Sequence, residues 1–277
     1  MTRTGFTEGQ RQKLLELGTD ASEMERLFED ASERDEAFRT ASKKMSRKNR
    51  GSLEDFMNRR RKPLVRELEE RIRGALISRG FSEVVTPILI GGKEIEKMGI
   101  SRGDHLWRQI VWVGEDQCLR PMLAPNLYVI MEKLSAIGKP VRIFEVGQCF
   151  RRDTRGQLHL EEFTMMNMVE LAPPDDPKGR LLDYIETVMK AAGLEYVIEP
   201  ESSEVYGETC DVRVKGVEVA SAAIGPKQMD CNWGISDVWL GVGFGLERLA
   251  MFAGGHNSVA RVARSLFYLD GSKLNVK

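Results

Sequence analysis

The sequence is short of the residues that staple or metallate small proteins. Its four cysteines, Cys118, Cys149, Cys210 and Cys231, lie far apart. No CxxC pair exists, which argues against a structural zinc site of the usual spacing. Three histidines, His105, His159 and His256, are too dispersed for a metal triad. No apolar run approaches the roughly 18 residues that a membrane-spanning helix needs, so no membrane association is expected. The N-terminus, MTRTGFTEGQRQKLLELG, has no apolar h-region, so a secretory signal is not expected either. Reduced thiols in the cytoplasm are the default. Neither charge sign is in excess. Lys+Arg number 41 and Asp+Glu 42, a net of −1, which excludes a uniformly basic nucleic-acid binder but not a local basic patch. There is no G-x-G-x-x-G dinucleotide fingerprint and no Gly-Lys-Ser/Thr phosphate loop.

What is present is enough apolar residue, 42% of 277, to exclude a disordered chain. The length allows one large domain, or one domain with a small appendage. Charge divides the first 62 residues. Positions 1–42 hold six Lys/Arg against ten Asp/Glu, whereas positions 43–62 hold nine against two. The acidic stretch reads as short amphipathic helices with few apolar residues: Leu14, Leu15 and Leu17, then Met24, Leu27 and Phe28, then Phe38. The basic stretch reads either as a solvated face or as a surface for an anionic polymer.

From Pro63 the pattern strengthens. Leu64, Leu68, Ile72 and Leu76 recur every four residues, predicting a helix over 63–79 that Gly80 stops. Residues 81–87 read as a strand closing at Pro87. A helix opens at Ala124-Pro125 and runs towards Gly138. Strands follow at 141–150 and 159–171, then a loop at 172–179 and a helix ended by Gly193. A hairpin turns at Lys215-Gly216. A last strand around Gly241–Gly245 runs into a helix near Leu246. The strand pairs are too close for parallel crossovers, so antiparallel pairing and an α+β fold are expected. Two regions are expected, an N-terminal helical one at 1–62 and a larger domain at 63–277.

Three local features carry chemistry. Arg151 ends the strand 141–150 at the mouth of a polar turn, where a guanidinium can fork onto phosphate oxygens. Gly241, Gly243 and Gly245 alternate along one strand and bare one of its faces, so that a flat ligand or another backbone can lie there. Glu247-Arg248 then sets a cation beside that face. Pro87 blunts the end of the strand 81–87. Each alone has an ordinary structural explanation.

Together, in the order Pro87, Arg151, Arg248, they resemble the three ordered motifs of class II aminoacyl-tRNA synthetases. The stretches RPMLAPNLY (120–128), IFEVGQCFR (143–151), HLEEFTMMN (159–167), EVYGETCDV (204–212), ASAAIGP (220–226) and WLGVGFGLERL (239–249) resemble the pyrrolysine-activating branch of that family. The likeness covers about 63–277. The N-terminal region and ARSLFYLDG (263–271) are similar to its bacterial form, in which the extra RNA-binding domain of some relatives is a separate protein. No such domain is expected in this chain.

The resemblance implies a class II-like antiparallel sheet flanked by helices, with a small helical N-terminal region. It implies a ligase that uses ATP and Mg2+ to make an aminoacyl-adenylate, then charges a tRNA. Arg151 and Arg248 would bind the ATP phosphates and carry catalysis. His159 and Leu160 would meet the adenine through backbone, and Phe163 would stack on it. Glu218 and Ser221 would sit by the ATP and hold the magnesium. Asp153 stands where the motif usually has glutamate; the shorter acid reaches less far and leaves the backbone contacts to adenine intact. Asn167 would hydrogen-bond the amide carbonyl of the amino-acid side chain, and Tyr206 would close over its ring. Met122, Leu123, Ala124, Leu127 and Tyr128 would line an apolar pocket with Val169, Trp239 and Gly243.

The implied partners are pyrrolysine or related lysine derivatives, tRNA(Pyl), a second copy of the chain and, in some settings, a separate small tRNA-binding protein. Two alternatives stand beside this: a class II synthetase for another amino acid, such as phenylalanine or phosphoserine, and a non-catalytic paralogue. An apolar pocket without a cation cluster argues against phosphoserine, and keeping both ATP arginines argues against a degenerate copy.

Overall fold

The computed structural model describes residues 3–152 and 156–274. Its centre is a seven-stranded sheet of β1 (Ser82–Glu83), β2 (Val141–Phe150), β3 (Glu162–Leu171), β4 (Val197–Ser203), β5 (Gly207–Val214), β6 (Val217–Gly225) and β7 (Trp239–Gly245). The spatial order is β1-β2-β3-β7-β6-β5-β4. The α+β expectation holds, and every pairing is antiparallel except the edge pair β1–β2, which is parallel. The strand expected over 81–87 shrinks to two residues. Its second half is bound elsewhere, because Thr86 donates its backbone N–H and its hydroxyl to the Glu145 carboxylate at 3.1 and 2.7 Å. β3 starts at Glu162 rather than at His159, leaving 156–161 out of the ladder.

The described residues form six helices of eight residues or more: α1 (Glu8–Leu17), α2 (Ala31–Asn58), α3 (Leu64–Ser78), α4 (Ala124–Ser135), α5 (Pro177–Ala192) and α6 (Leu246–Ala253). The four-residue spacing in α3 places Leu68, Ile72 and Leu76 in one fully buried stripe. Each such side chain stabilises by about 1.5–3 kcal/mol. With Ile185 and Val188 of α5 and Leu249 of α6, they cover the sheet face formed by Met166, Met168, Val242 and Phe244. Because strand side chains alternate, Asn167, Gly241, Gly243 and Gly245 face the other way, towards α4. The tight turn Lys215-Gly216 has positive φ at both residues, 50° and 80°, which suits the right-handed twist of β5 and β6.

The first 62 residues differ from expectation. Short helices are present at α1 and Ala21–Met24, but Ala31–Asn58 is one helix of 28 residues. No proline interrupts it, and Gly51 sits exposed within it. Asp30 caps it, accepting from the Glu33 N–H at 2.8 Å. Glu33 lies in its first turn, where a helix dipole favours an acid, while most of its bases cluster mid-helix between Lys43 and Arg50 and its last turn carries none. Phe6, Leu14 and Phe28 make a small cluster of their own. The joint to the rest is polar. Buried Arg261 donates to Glu16 O at 2.8 Å, and Asn49 Oδ1 accepts from Lys273 N at 2.6 Å. Among the described residues no helix is long and apolar enough to cross a membrane.

Candidate functional site

The site is built on one row of residues that crosses five strands. Asp211, Ser221, Gly243, Asn167 and Glu145 are successive cross-strand partners, so their side chains share a face. The next row is Ala223, Gly241, Val169 and Ile143. At the Glu145 end the row is sealed. Arg120 and Glu145 are both buried and pair at 2.7 Å, and Asn126 of α4 donates to Thr86 Oγ1 at 2.7 Å and to Pro87 O at 2.8 Å. This network ties the Pro87 segment, β2 and α4 together. Neither Arg120 nor Glu145 stands out in the sequence as functional.

Above the glycine-bared strand lies a cavity of about 540 Å³. Met122, Ala124, Leu127 and Tyr128 approach it from α4 and the segment before it, and Asn167, Val169, Trp239 and Gly243 from the sheet. Tyr206, in the β4–β5 turn, closes one side. Leu123 does not line the cavity; as the residue preceding α4 it is wholly buried in the core beneath. Met131 does line it, and its position one turn after Leu127 is a signal that the sequence offers. The wall is aromatic. Tyr128 stacks on Trp233 at 5.3 Å and meets Trp239 edge-on at 6.0 Å, and Tyr206 meets Trp239 at 5.8 Å. Burial above all, then Tyr206 and the hydrogen bond to Asp230, push the Tyr128 phenol well above its usual range, so it stays protonated. Within this lining the Oδ1 of Asn167 is buried and has no hydrogen-bond partner among the described residues. Such an atom is costly unless a ligand meets it.

A second cavity of about 170 Å³ adjoins the first and shares Arg151, Met165, Glu218 and Gly243 with it. His159, Leu160, Phe163 and Arg248 also line it. The two arginines, 97 positions apart in the sequence, therefore face one cleft. Arg151 donates through Nε to Pro121 O at 2.8 Å and lies 5.5 Å from the Phe163 ring centre. Arg248 donates to Glu218 O at 2.8 Å and approaches its carboxylate at 3.4 Å. Glu247 turns inward instead. Its buried carboxylate accepts the Thr164 N–H at 2.9 and 3.0 Å, fixing α6 to β3; burial raises it, and those bonds oppose the rise.

Ser221 lines the larger cavity near Glu218 and Asp211. Burial, then the Glu218 carboxylate, raises the Asp211 carboxyl, while Arg213 pairs with Asp211 at 3.1 Å. Glu218, Ser221 and Asp211 offer only oxygen donors, which suits a hard cation such as magnesium completed by phosphate oxygens. Among the described residues no group of three His, Cys, Asp or Glu side chains could hold a metal by itself. Asp153 lies outside the described residues.

A family described as phenylalanyl tRNA synthetase beta chain CLM domain matches residues 57–236. The crystal structure of pyrrolysyl-tRNA synthetase from Desulfitobacterium hafniense is 42% identical, covers 99% of both chains and superposes with a TM-score of 0.93. A second structure of the enzyme from that organism, named PylSc, is 42% identical over 98% of both chains, with a TM-score of 0.91. Among curated proteins, a threonine--tRNA ligase of Finegoldia magna is 23% identical over 173 residues, 57% of this chain. The match spans only 27% of that ligase's own length.

Proposed function

The chain belongs to the pyrrolysyl-tRNA synthetase family of class II aminoacyl-tRNA synthetases, and on that premise we propose that it activates pyrrolysine with ATP and transfers it to tRNA(Pyl). The observation that carries the substrate reading is the unpartnered Asn167 Oδ1 over Gly243, facing a deep apolar cavity: that oxygen can accept an N–H of a substrate amide, while the Nδ2 of the same side chain can donate to its carbonyl. A long lysine derivative with an amide in mid-chain and an apolar ring at its end fits both features. A charged phosphoserine does not, and two arginines turned into one cleft disfavour a non-catalytic paralogue.

In this reading the smaller cavity takes ATP. Arg151 and Arg248 hold its phosphates, and Phe163 stacks on the adenine beside the backbone of His159 and Leu160. The amino-acid carboxylate attacks the α-phosphate, and pyrophosphate leaves. Like charges must meet, so the contribution of the chain is positioning and charge stabilisation, with no side-chain nucleophile. Glu218 and Ser221 would hold magnesium, which supplies further neutralisation of phosphate charge when bound. Trp239 and Tyr206 enclose the ring end of the substrate, and Asn167 binds its amide. A site lined to hydrogen-bond a polar group rejects analogues lacking it more strongly than it rejects a missing methylene.

The same proposal assigns residues 1–62 to tRNA contact through α2, and residues 63–277 to catalysis, in the cytoplasm. A second copy would cover the exposed Val85, Pro87, Ile88 and Leu89 beside β1, which supports a homodimer. A separate small tRNA-binding protein is compatible with it. ATP–pyrophosphate exchange over a panel of amino acids tests the reading: exchange is expected with pyrrolysine and N6-acyl-lysines and not with phenylalanine, threonine or histidine. Arg248→Ala should fold normally and lose exchange. Robust exchange by that variant would overturn the assignment.

A further inference from the structure

Behind the aromatic wall lies a carboxylate that the reaction does not use. Asp230 is 1% exposed. Its Oδ1 accepts the Tyr128 hydroxyl at 2.7 Å, and its Oδ2 accepts the Trp239 Nε1–H at 2.6 Å and the Lys227 backbone N–H at 2.6 Å. No Lys or Arg pairs with it among the described residues, so three neutral donors satisfy a buried acid. Two of the three belong to side chains that line the cavity.

We propose that Asp230 is a specificity-determining positioning residue: it draws the polar atoms of Tyr128 and Trp239 out of the cavity, so that the deep end of the pocket presents ring surface alone and leaves Asn167 as the amide-recognising group. The inference rests on reading this cavity as the amino-acid pocket. It follows from the inventory of donors. Tyrosine and tryptophan each carry a hydrogen that must find an acceptor when buried. Without Asp230 that acceptor would come from the ligand, and side chains ending in a polar group would gain. With Asp230 the polar ends of both rings are already satisfied, and a polar-ended ligand loses its water for nothing. The carboxylate also fixes the angle between the rings, since each is held by a different oxygen.

The test is Asp230→Asn, which keeps the shape but offers one acceptor oxygen and turns an N–H towards a donor. In exchange assays the amino-acid KM for an N6-acyl-lysine with an apolar end should rise about tenfold, the ATP KM should change less than about twofold, and the preference for apolar over hydroxyl-ended analogues should shrink about tenfold. 5-Fluorotryptophan incorporation supplies a readout that needs no substrate. The 19F line assigned to position 239 by Trp239→Phe should shift or broaden in the Asp230→Asn protein. An unmoved line, or a moved line with an unchanged ranking of substrates, would overturn the proposal. Should the wild type activate no N6-acyl-lysine, the substrate reading fails by itself, and the same ranking is measured over the amino acids it does activate. Should Asp230→Asn not fold, Asp230→Leu is introduced into a Tyr128→Phe/Trp239→Phe background, where no ring donor needs the carboxylate. That triple variant should match its double-variant parent within about twofold in amino-acid KM, and a tenfold loss there would refute the role.

Discussion

A Cβ on Gly243 would lie 2.9 Å from both terminal atoms of the Asn167 amide. The amide therefore rests on the bare backbone of the neighbouring strand, and the strand's glycine is what lets it lie flat across the cavity floor. The obstacle to a side chain at 243 is the mobile end of Asn167, not backbone. Gly243→Ala should therefore fold, with a melting temperature within a few degrees of wild type, and push the amide aside. The expected result is an amino-acid KM raised about tenfold or more, with the ATP KM little changed. The double variant with Asn167→Ala should be no worse than Asn167→Ala alone; additive losses would show that Gly243 acts by another route.

Asn167→Ala removes an amide whose Oδ1 has no partner among the described residues, so little stability should be lost with it. The vacated space adjoins Val169 and the aromatic wall. Relative activity should move from amide-bearing lysines towards bulky aromatic amino acids, as read by exchange over a panel. An unchanged ranking would make Asn167 a structural residue.

Much of this site is legible in the sequence because strand alternation is a rigid rule. Once Gly241, Gly243 and Gly245 are placed on a strand, their common face follows, and Arg248 falls beside it at the head of the next helix. Partners that depend on distant segments are not legible. Asp230 sits in a short 3-10 turn with no periodic pattern, and only the approach of Tyr128, 102 positions away, gives it a purpose. The length of α2 is hidden for a related reason. Its apolar positions are sparse, and what sustains it is the Asp30 cap and the contacts of its few buried residues, Met45 and Asn49, rather than a continuous stripe.

Glu170 predicts an acid limit to stability. It is fully buried in β3 and accepts from Arg142 Nε at 2.7 Å, Arg180 Nε at 2.8 Å and the Tyr184 hydroxyl at 2.8 Å. Burial alone would raise its carboxyl, but the bonds from Arg180, Arg142 and Tyr184 outweigh that and lower it. A depressed folded-state value contributes stability above the ordinary carboxylate range, and that contribution is lost as pH falls through the depressed value. Glu170→Gln should cost about 2 kcal/mol at pH 7, less than a fully buried pair because both guanidinium groups reach solvent. It should also flatten the acid limb of a urea-unfolding series between about pH 5 and pH 2. An acid limb as steep as that of wild type would remove Glu170 from the account.

On the proposed assignment of α2 to tRNA contact, its basic half should be separable from adenylation. Lys43, Lys44 and Arg47 are exposed on it and absent from the linings of both cavities. If they track a phosphate backbone, each neutralised phosphate releases counterion, and affinity falls with salt in proportion to the contacts made. Replacing all three by glutamine should weaken tRNA binding similarly for every sequence and reduce the slope of log affinity against log salt by about 2–3. Amino-acid-dependent pyrophosphate exchange, which needs no tRNA contact at α2, should stay at the wild-type rate. A variant whose exchange fell together with its tRNA affinity would place this face in the catalytic unit instead of the RNA-binding one.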